Sequence, residues 1–171
     1  MKKRFFLLLA IIATFVLTSC KIDGYQEYPP SILVEKSEAK LNSDSTIMIK
    51  IAQDHSAFVF DSLHVADTVS FNVILNAYYN QIKELYITPS DSTAVKFIQP
   101  DSISYFILPT SLPEKGIYYP KEKTYGLYFP IKFTTLKAKE SFTYTIRVVS
   151  DVTKTSNMSS IDFKFPIKQK K

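Results

Sequence analysis

Hydrophobic and polar residues alternate in short runs along most of this chain. The runs are rich in β-branched and aromatic residues, and clusters of Asp, Ser and Pro separate them, which is the pattern of β-strands joined by turns. Nine runs have this character: Ile32–Lys36, Thr46–Ala52, Val69–Ala77, Ile82–Thr88, Ala94–Ile98, Ser104–Leu108, Tyr125–Thr134, Ser141–Val149 and Ile161–Lys168. The sequence therefore predicts an all-β fold.

The alternation is strictest near the C-terminus. In Ser141–Val149 one face of the predicted strand carries the apolar side chains of Phe142, Tyr144, Ile146 and Val148. Polar side chains occupy the other face, as a half-buried strand requires. The run Ile161–Phe165 alternates in the same way, and Pro166 is expected to mark a strand end or a sheet edge, because proline has no N–H to donate.

One segment is compatible with two structures. Apolar residues between Phe71 and Tyr86 would also form a stripe along one face of a helix. We predict two strands instead, because Phe71, Val73 and Leu75 alternate with polar or outward positions and the neighbouring runs alternate too. A long helix over residues 70–86 would contradict this prediction.

Seven to nine short antiparallel strands bury their apolar faces best when two sheets pack face to face. We therefore expect residues 31–171 to form a single β-sandwich domain. The length of the chain suits one domain with a substantial core.

Two stretches resemble parts of bacterial immunoglobulin-like domains. Asp67 to Val73, followed by Ile82 to Ile87, is similar to their second and third strands, and Phe142 to Val148, followed by Ile161 to Phe165, is similar to their last two. The resemblance covers most of residues 31–171 and rests on pattern, without the Cys…Trp…Cys signature of antibody-type domains. It implies an Ig-like sandwich and no catalytic residue.

The first residues have the features of a secretory signal. Lys2, Lys3 and Arg4 precede an apolar run from Phe5 to Leu17, which is shorter than the ~20 residues that a membrane span needs. The following residues, Leu17-Thr18-Ser19-Cys20, resemble the lipobox of bacterial lipoproteins. This resemblance implies cleavage before Cys20 and attachment of a diacylglyceryl group, with acyl chains such as palmitate, to its sulfur.

Together these features divide the chain into three parts. Residues 1–19 are predicted to be a cleaved signal peptide, residues 20–30 a lipidated cysteine and tether, and residues 31–171 the folded domain. The whole chain is then similar to the small Ig-like lipoproteins of the Bacteroidota. We expect it at the cell envelope, anchored in the outer membrane. The face stays open, because Lys21-Ile22-Asp23-Gly24 carries only one of the acidic residues that favour surface export.

Removal of the signal changes the charge and composition of the chain. Cleavage leaves 171 − 19 = 152 residues, and 18 basic residues against 16 acidic ones give a net charge of +2 instead of +5. A nearly neutral surface of mixed charge disfavours nucleic acid as a partner. The single cysteine excludes a disulfide, and three scattered glycines leave no phosphate-binding loop.

The chain offers little of the chemistry that catalysis needs. His55 and His64 are its only histidines, and no Gly-x-Ser-x-Gly motif is present. We therefore expect no enzyme and no cofactor apart from the covalent lipid. A metal site is a weak candidate at His55, His64, Asp54 and Asp61, because imidazoles and carboxylates gather there without a known ligand spacing. The alternative is a polar loop with Asp67 as a turn residue.

Exposed aromatic residues are candidates for ligand binding, since sugar sites use aromatic platforms. Most strand aromatics are expected in the core or in cross-strand pairs. Tyr118 and Tyr119 lie beside Gly116 and Pro120 in a predicted loop, and Tyr125 and Tyr128 follow closely; these four tyrosines are the predicted ligand surface.

Five Asp-Ser/Thr-apolar triplets resemble the O-glycosylation motif of the Bacteroidota. Their acceptor residues are Ser45, Ser62, Thr68, Ser92 and Ser102. The alternative is that each Asp-Ser or Asp-Thr pair is a turn at the start of a strand.

The function that these features favour is binding at the cell envelope, with a glycan, a peptide or an envelope protein as the partner. A second hypothesis is a structural or assembly subunit of an outer-membrane complex, which an exposed strand edge would favour. A metal-dependent or hydrolytic enzyme comes third.

Overall fold

The computed structural model describes residues 28–99, 105–151 and 157–170, and β-strands dominate this part of the chain. The strands are β1 (Ser31–Val34), β2 (Glu38–Leu41), β3 (Ser45–Ile51), β4 (Ala57–Phe60), β5 (Leu63–His64), β6 (Thr68–Asn76), β7 (Ile82–Pro89), β8 (Val95–Phe97), β9 (Ile117–Tyr118), β10 (Gly126–Thr135), β11 (Lys139–Ser150) and β12 (Met158–Lys168). A 3-10 helix covers Pro113–Lys115, and no α-helix occurs within the described ranges. The prediction of an all-β fold is confirmed.

Several details differ from the prediction. The structure has twelve strands, so the predicted seven to nine is too low. The additional strands β2, β4, β5 and β9 contain only two to four residues each, too few for an alternating pattern to stand out. The predicted strand Ser104–Leu108 is absent over its described residues, where Ile107 makes only an isolated bridge to Pro120.

The ambiguous segment between residues 70 and 86 forms two strands, as predicted. Its inward residues in β6 are Val69, Phe71, Val73 and Leu75, and each is buried. The chain reverses direction in the turn at Tyr78. This residue has a φ of 58°, and its N–H donates a hydrogen bond to Asn76 Oδ1 at 2.7 Å.

The strands form one continuous curled sheet in the order β8-β10-β6-β2-β3-β4-β12-β11-β7-β9, with β1 on β6 and β5 on β12. β3 joins the two halves of this sheet. Its first half pairs with β2, and its second half, from Ile49 to Ile51, pairs with β4. A seven-residue strand is long enough to serve both partners, so the halves are continuous rather than two separate sheets.

β12 lies inside the sheet, antiparallel to β11 and parallel to β4 and β5. Pro166 therefore marks neither a strand end nor a sheet edge. The β11 pairing shifts register between Lys139 and Phe142, opposite this proline, and such an irregularity accommodates a residue without an N–H.

The inner faces of the two halves meet in a single aromatic core. Phe71 of β6 lies 4.9 Å from Phe163 of β12 between ring centroids, and Phe133 of β10 stacks on Phe165 at 5.5 Å. Ring contacts at these distances stabilise the packing beyond the area that they bury. The core places β6 and β10 opposite β11 and β12.

Candidate functional site

A large cleft lies where the two ends of the curled sheet approach each other. β8 and β9 are the terminal strands of the hydrogen-bonded order, and the ring of Phe97 in β8 lies 6.3 Å from the ring of Tyr118 in β9. A cavity of about 1020 Å³ opens along this seam. Its walls are the end of β7, the turn that follows it, β8, the 3-10 helix and the start of β11. This volume suits a small-molecule or oligomeric ligand.

Gly116 fixes one wall of the cleft. It ends the 3-10 helix in the left-handed conformation (φ 67°), and its carbonyl accepts a hydrogen bond of 2.8 Å from the N–H of Ile87. A Cβ at this position would lie 2.0 Å from the Ile87 carbonyl oxygen. Only glycine allows the backbone to approach β7 this closely.

Tyr144 lies on the floor of the cleft. Its hydroxyl and that of Tyr118 are buried, and neither has a hydrogen-bond partner among the described residues. Burial raises the pKa of both phenols well above the ordinary value, and the nearby Tyr118 adds to the shift at Tyr144. Both unsatisfied hydroxyls are therefore held neutral, and that of Tyr144 lies beneath the cleft.

An ion pair lies at the rim. Asp91 contacts Lys139, and it also accepts hydrogen bonds from the backbone N–H (2.9 Å) and hydroxyl (2.6 Å) of Thr93. These partners, with Lys139 contributing most, hold the pKa of Asp91 well below its ordinary value. The cleft also presents uncharged hydrogen-bonding side chains, namely Thr88, Ser90, Ser92, Gln99 and Ser141.

The structure separates the four predicted ligand tyrosines. Tyr118 is 0% exposed, so its assignment to a loop surface is wrong: β9 pairs with β7 and turns this ring into the core, against Phe129. Tyr119 is partly exposed beside β7. Tyr125 and Tyr128 are exposed at the start of β10, close to the opposite end of β7 from the cleft.

The weak metal candidates are not brought together. Asp54 accepts hydrogen bonds from Ser56, Asp61 pairs with Lys50 at 3.1 Å, and His55 is exposed in a turn with a φ of 56°. Within the described ranges, no three or more His, Cys, Asp or Glu residues form a group suited to a metal ion.

The same segment contains a structural carboxylate. The buried Asp67 accepts hydrogen bonds from Asn42 Nδ2 (2.9 Å) and from the N–H of His64 (2.8 Å). The imidazole Nδ1 of His64 lies 3.8 Å from Asp67 Oδ2. Asp67 therefore connects the β2–β3 turn to the β5–β6 turn, in agreement with its interpretation as a turn residue.

The predicted glycosylation residues differ in accessibility. Ser45 and Ser92 are exposed, and Ser62 is half-buried. Thr68 is also half-buried in β6, and its hydroxyl lies 3.0 Å from that of Thr134. Ser102 and the predicted lipidation residue Cys20 lie outside the described residues.

The alternating pattern of the sequence does not predict the cleft. Tyr144 was correctly placed on the apolar face of β11, but alternation assigns such a residue only to the core. The signals that do point to the cleft are Gly116 after a Pro-Glu-Lys turn and the Asp91-Ser92-Thr93 triplet, which fix the turns on its two sides.

No protein-family model and no curated protein matches the chain. Among solved structures, it is similar to a family 123 glycoside hydrolase from Clostridium perfringens, described for glycolipid glycan hydrolysis, with 10% sequence identity and a TM-score of 0.37. The match covers 82% of this chain and 28% of that enzyme's chain. A likeness of this degree assigns neither an activity nor a ligand. No helix in the described ranges is long and apolar enough to cross a membrane.

Proposed function

We propose that this protein is a lipid-anchored binding module of the cell envelope, related to the small Ig-like lipoproteins of the Bacteroidota. Cys20 carries the lipid, and the β domain is an Ig-like sandwich whose two facing halves are joined by β3 into one curled sheet. The lipobox-like residues before Cys20 support the anchor. Two facing halves with a shared aromatic core support the sandwich.

The ligand occupies the cleft between β8 and the 3-10 helix. The observation that carries this proposal is the set of hydrogen-bonding groups around a cavity of about 1020 Å³, with the hydroxyl of Tyr144 left unsatisfied beneath it. A buried hydroxyl without a partner costs ~1–3 kcal/mol, which a structure carries most readily where function uses the site.

A glycan fits the chemistry of the cleft best. Hydroxyl and amide side chains such as Ser141 and Gln99 both donate and accept hydrogen bonds, as sugar hydroxyls do, and Phe97 supplies an apolar wall. The paired charges of Asp91 and Lys139 cancel each other, and the exposed Glu114 and Lys115 also carry one charge of each sign, so the lining has no net charge to select a strongly charged ligand. A peptide or an envelope protein in the cleft would be an alternative result of the test.

The test is a glycan array probed with the detergent-solubilised, lipidated protein, followed by calorimetry with the glycans that bind. Ser141 is exposed in the cleft, so Ser141→Phe places a bulky ring in part of the cleft without changing the core, and we expect at least tenfold weaker binding. Ser45→Phe, at an exposed serine of β3 outside the cleft, is the control and should bind normally. Binding that survives Ser141→Phe would place the ligand elsewhere.

A further inference from the structure

One end of the molecule is rich in exposed tyrosines. Tyr28 lies before β1, Tyr78 and Tyr79 lie in the turn between β6 and β7, and Tyr125 lies just before β10. The rings of Tyr28 and Tyr78 are 6.4 Å apart, and the N–H of Ala77 donates to the carbonyl of Tyr125 at 2.8 Å. We call these four residues the tyrosine end. Each ring is about half exposed or more, with Tyr79 reaching 67%.

The N-terminal part of the chain enters the domain at this end. Asn157, itself buried, donates from its side chain to the carbonyl of Tyr28 at 2.6 Å, and Pro30 is buried where β1 begins. Eight Cα-to-Cα steps separate Tyr28 from Cys20. Even fully extended, they reach only about 28 Å, so a lipid on Cys20 keeps this end close to the bilayer.

The chemistry of this end matches the surface of a phospholipid bilayer. Tyrosine is enriched at membrane interfaces, because its ring contacts the apolar region while its hydroxyl stays among the headgroups. Exposed lysines accompany the tyrosines: Lys121 and Lys123 precede Tyr125, and Lys83 begins β7. Lys83 lies 3.9 Å from Asp151, whereas no ion pair involves Lys121 or Lys123 among the described residues. These two are available to lipid phosphates.

The cleft lies at the opposite end of the same strands. β7 starts at the tyrosine end and reaches the cleft at Ile87, and the five steps from Ile82 to Ile87 span about 17 Å at ~3.3 Å per residue. β11 runs back in the opposite direction, from Lys139 beside the cleft to Ser150.

We infer that the tyrosine end rests on the phospholipid headgroups and holds the cleft away from the membrane. This inference rests on the proposed lipid anchor and adds an orientation to it. A tether alone would let the domain tumble, whereas a second contact with the bilayer fixes which end faces outward.

The chain has no tryptophan, so a single introduced indole reports on its own position without background. The experiment uses the lipidated full-length protein carrying Tyr79→Trp, in vesicles of phosphatidylethanolamine and phosphatidylglycerol that contain a headgroup nitroxide lipid. The matched variant is Leu136→Trp, at a residue 49% exposed just after β10, at the end of that strand remote from the tyrosine end. We expect the nitroxide to quench the indole at position 79 at least threefold more strongly than the indole at position 136.

Equal quenching at the two positions would overturn the orientation while leaving the anchor and the glycan proposal intact. Recovery of the wild-type protein in the soluble fraction would overturn the anchor and the orientation together, and glycan binding would still be measured separately. Circular dichroism of both variants verifies that the substitutions preserve the fold.

Discussion

The ring of Phe97 meets the ring of Tyr118 edge to face, with centroids 6.3 Å apart and planes at 68°. These residues belong to β8 and β9, the first and last strands of the hydrogen-bonded order. Side-chain packing rather than a strand ladder therefore connects the two ends of the sheet within the described part of the chain. The cleft forms at this connection.

Removal of the Phe97 ring is expected to loosen the seam. Phe97→Ala deletes a partly buried ring and its contact with Tyr118, and we expect a loss of about 2 kcal/mol in the free energy of unfolding. Urea denaturation measures this loss. Phe106→Ala is the control, because Phe106 is 51% exposed and should change stability by less than about 0.5 kcal/mol. Equal losses would contradict the proposed role of the ring contact.

Gly116→Ala is expected to destabilise the protein by about 1–3 kcal/mol. The new Cβ would meet the Ile87 carbonyl oxygen at 2.0 Å, and the φ of 67° is unfavourable for any other residue. Gly126→Ala tests the specificity of this effect, because a Cβ there would be 3.5 Å from the Leu75 oxygen, an ordinary contact. Thermal or urea unfolding of the two variants should differ clearly, and a stable Gly116→Ala protein would show that the 3-10 helix does not pack as described.

Tyr144→Phe is expected to preserve or raise stability, because it removes a buried hydroxyl that has no partner among the described residues. The raised pKa of Tyr144 adds a pH dependence. Below about pH 10 the Tyr144 phenol is neutral in both the folded and the unfolded state, so its effect on stability does not change with pH. Above about pH 10 the phenol ionises in the unfolded state but not in the folded state, and the free energy of unfolding falls. As the pH rises above about 10, the free energy of unfolding of the wild type should therefore fall more than that of Tyr144→Phe, which urea titrations at several alkaline pH values measure. An equal fall in both proteins would argue against a buried phenol.

Asp91→Asn should lower stability near neutral pH and have a progressively smaller effect in acid. The folded pKa of Asp91 is depressed, so its contribution is present above the unfolded value of about 4 and is lost as the pH falls toward the folded value. Denaturation midpoints at about pH 7 and about pH 2.5 measure the change. Asp44→Asn, in the exposed turn before β3, is the matched control. A difference between wild type and Asp91→Asn that persists unchanged in acid would exclude the ion pair as its cause.

The sequence was sufficient to predict the long antiparallel strands. In β11, alternation identified Phe142, Tyr144, Ile146 and Val148 as inward residues, and all four are buried. The two-strand interpretation of residues 70–86 also followed from alternation. Local pattern works here because each strand has one face toward the core and one toward solvent.

The short and the centrally placed elements could not be predicted in the same way. β4 has only four residues, all apolar, and lies between polar segments containing His55 and Asp61, so it was too short for an alternating pattern to reveal it. Its role depends on parallel pairing with β12, about a hundred residues later in the chain. Tyr118 was misplaced for a similar reason, because pairing with β7, not the neighbouring sequence, turns its ring inward.

The position of β12 also affects how the sheet is completed during folding. β12 fills a gap between β4 and β11, so both of those strands present unpaired backbone groups until it docks. Deletion of β12 alone would leave this gap permanently open in the middle of the sheet. A deletion within β12 should therefore be tolerated as poorly as a polar substitution in the core.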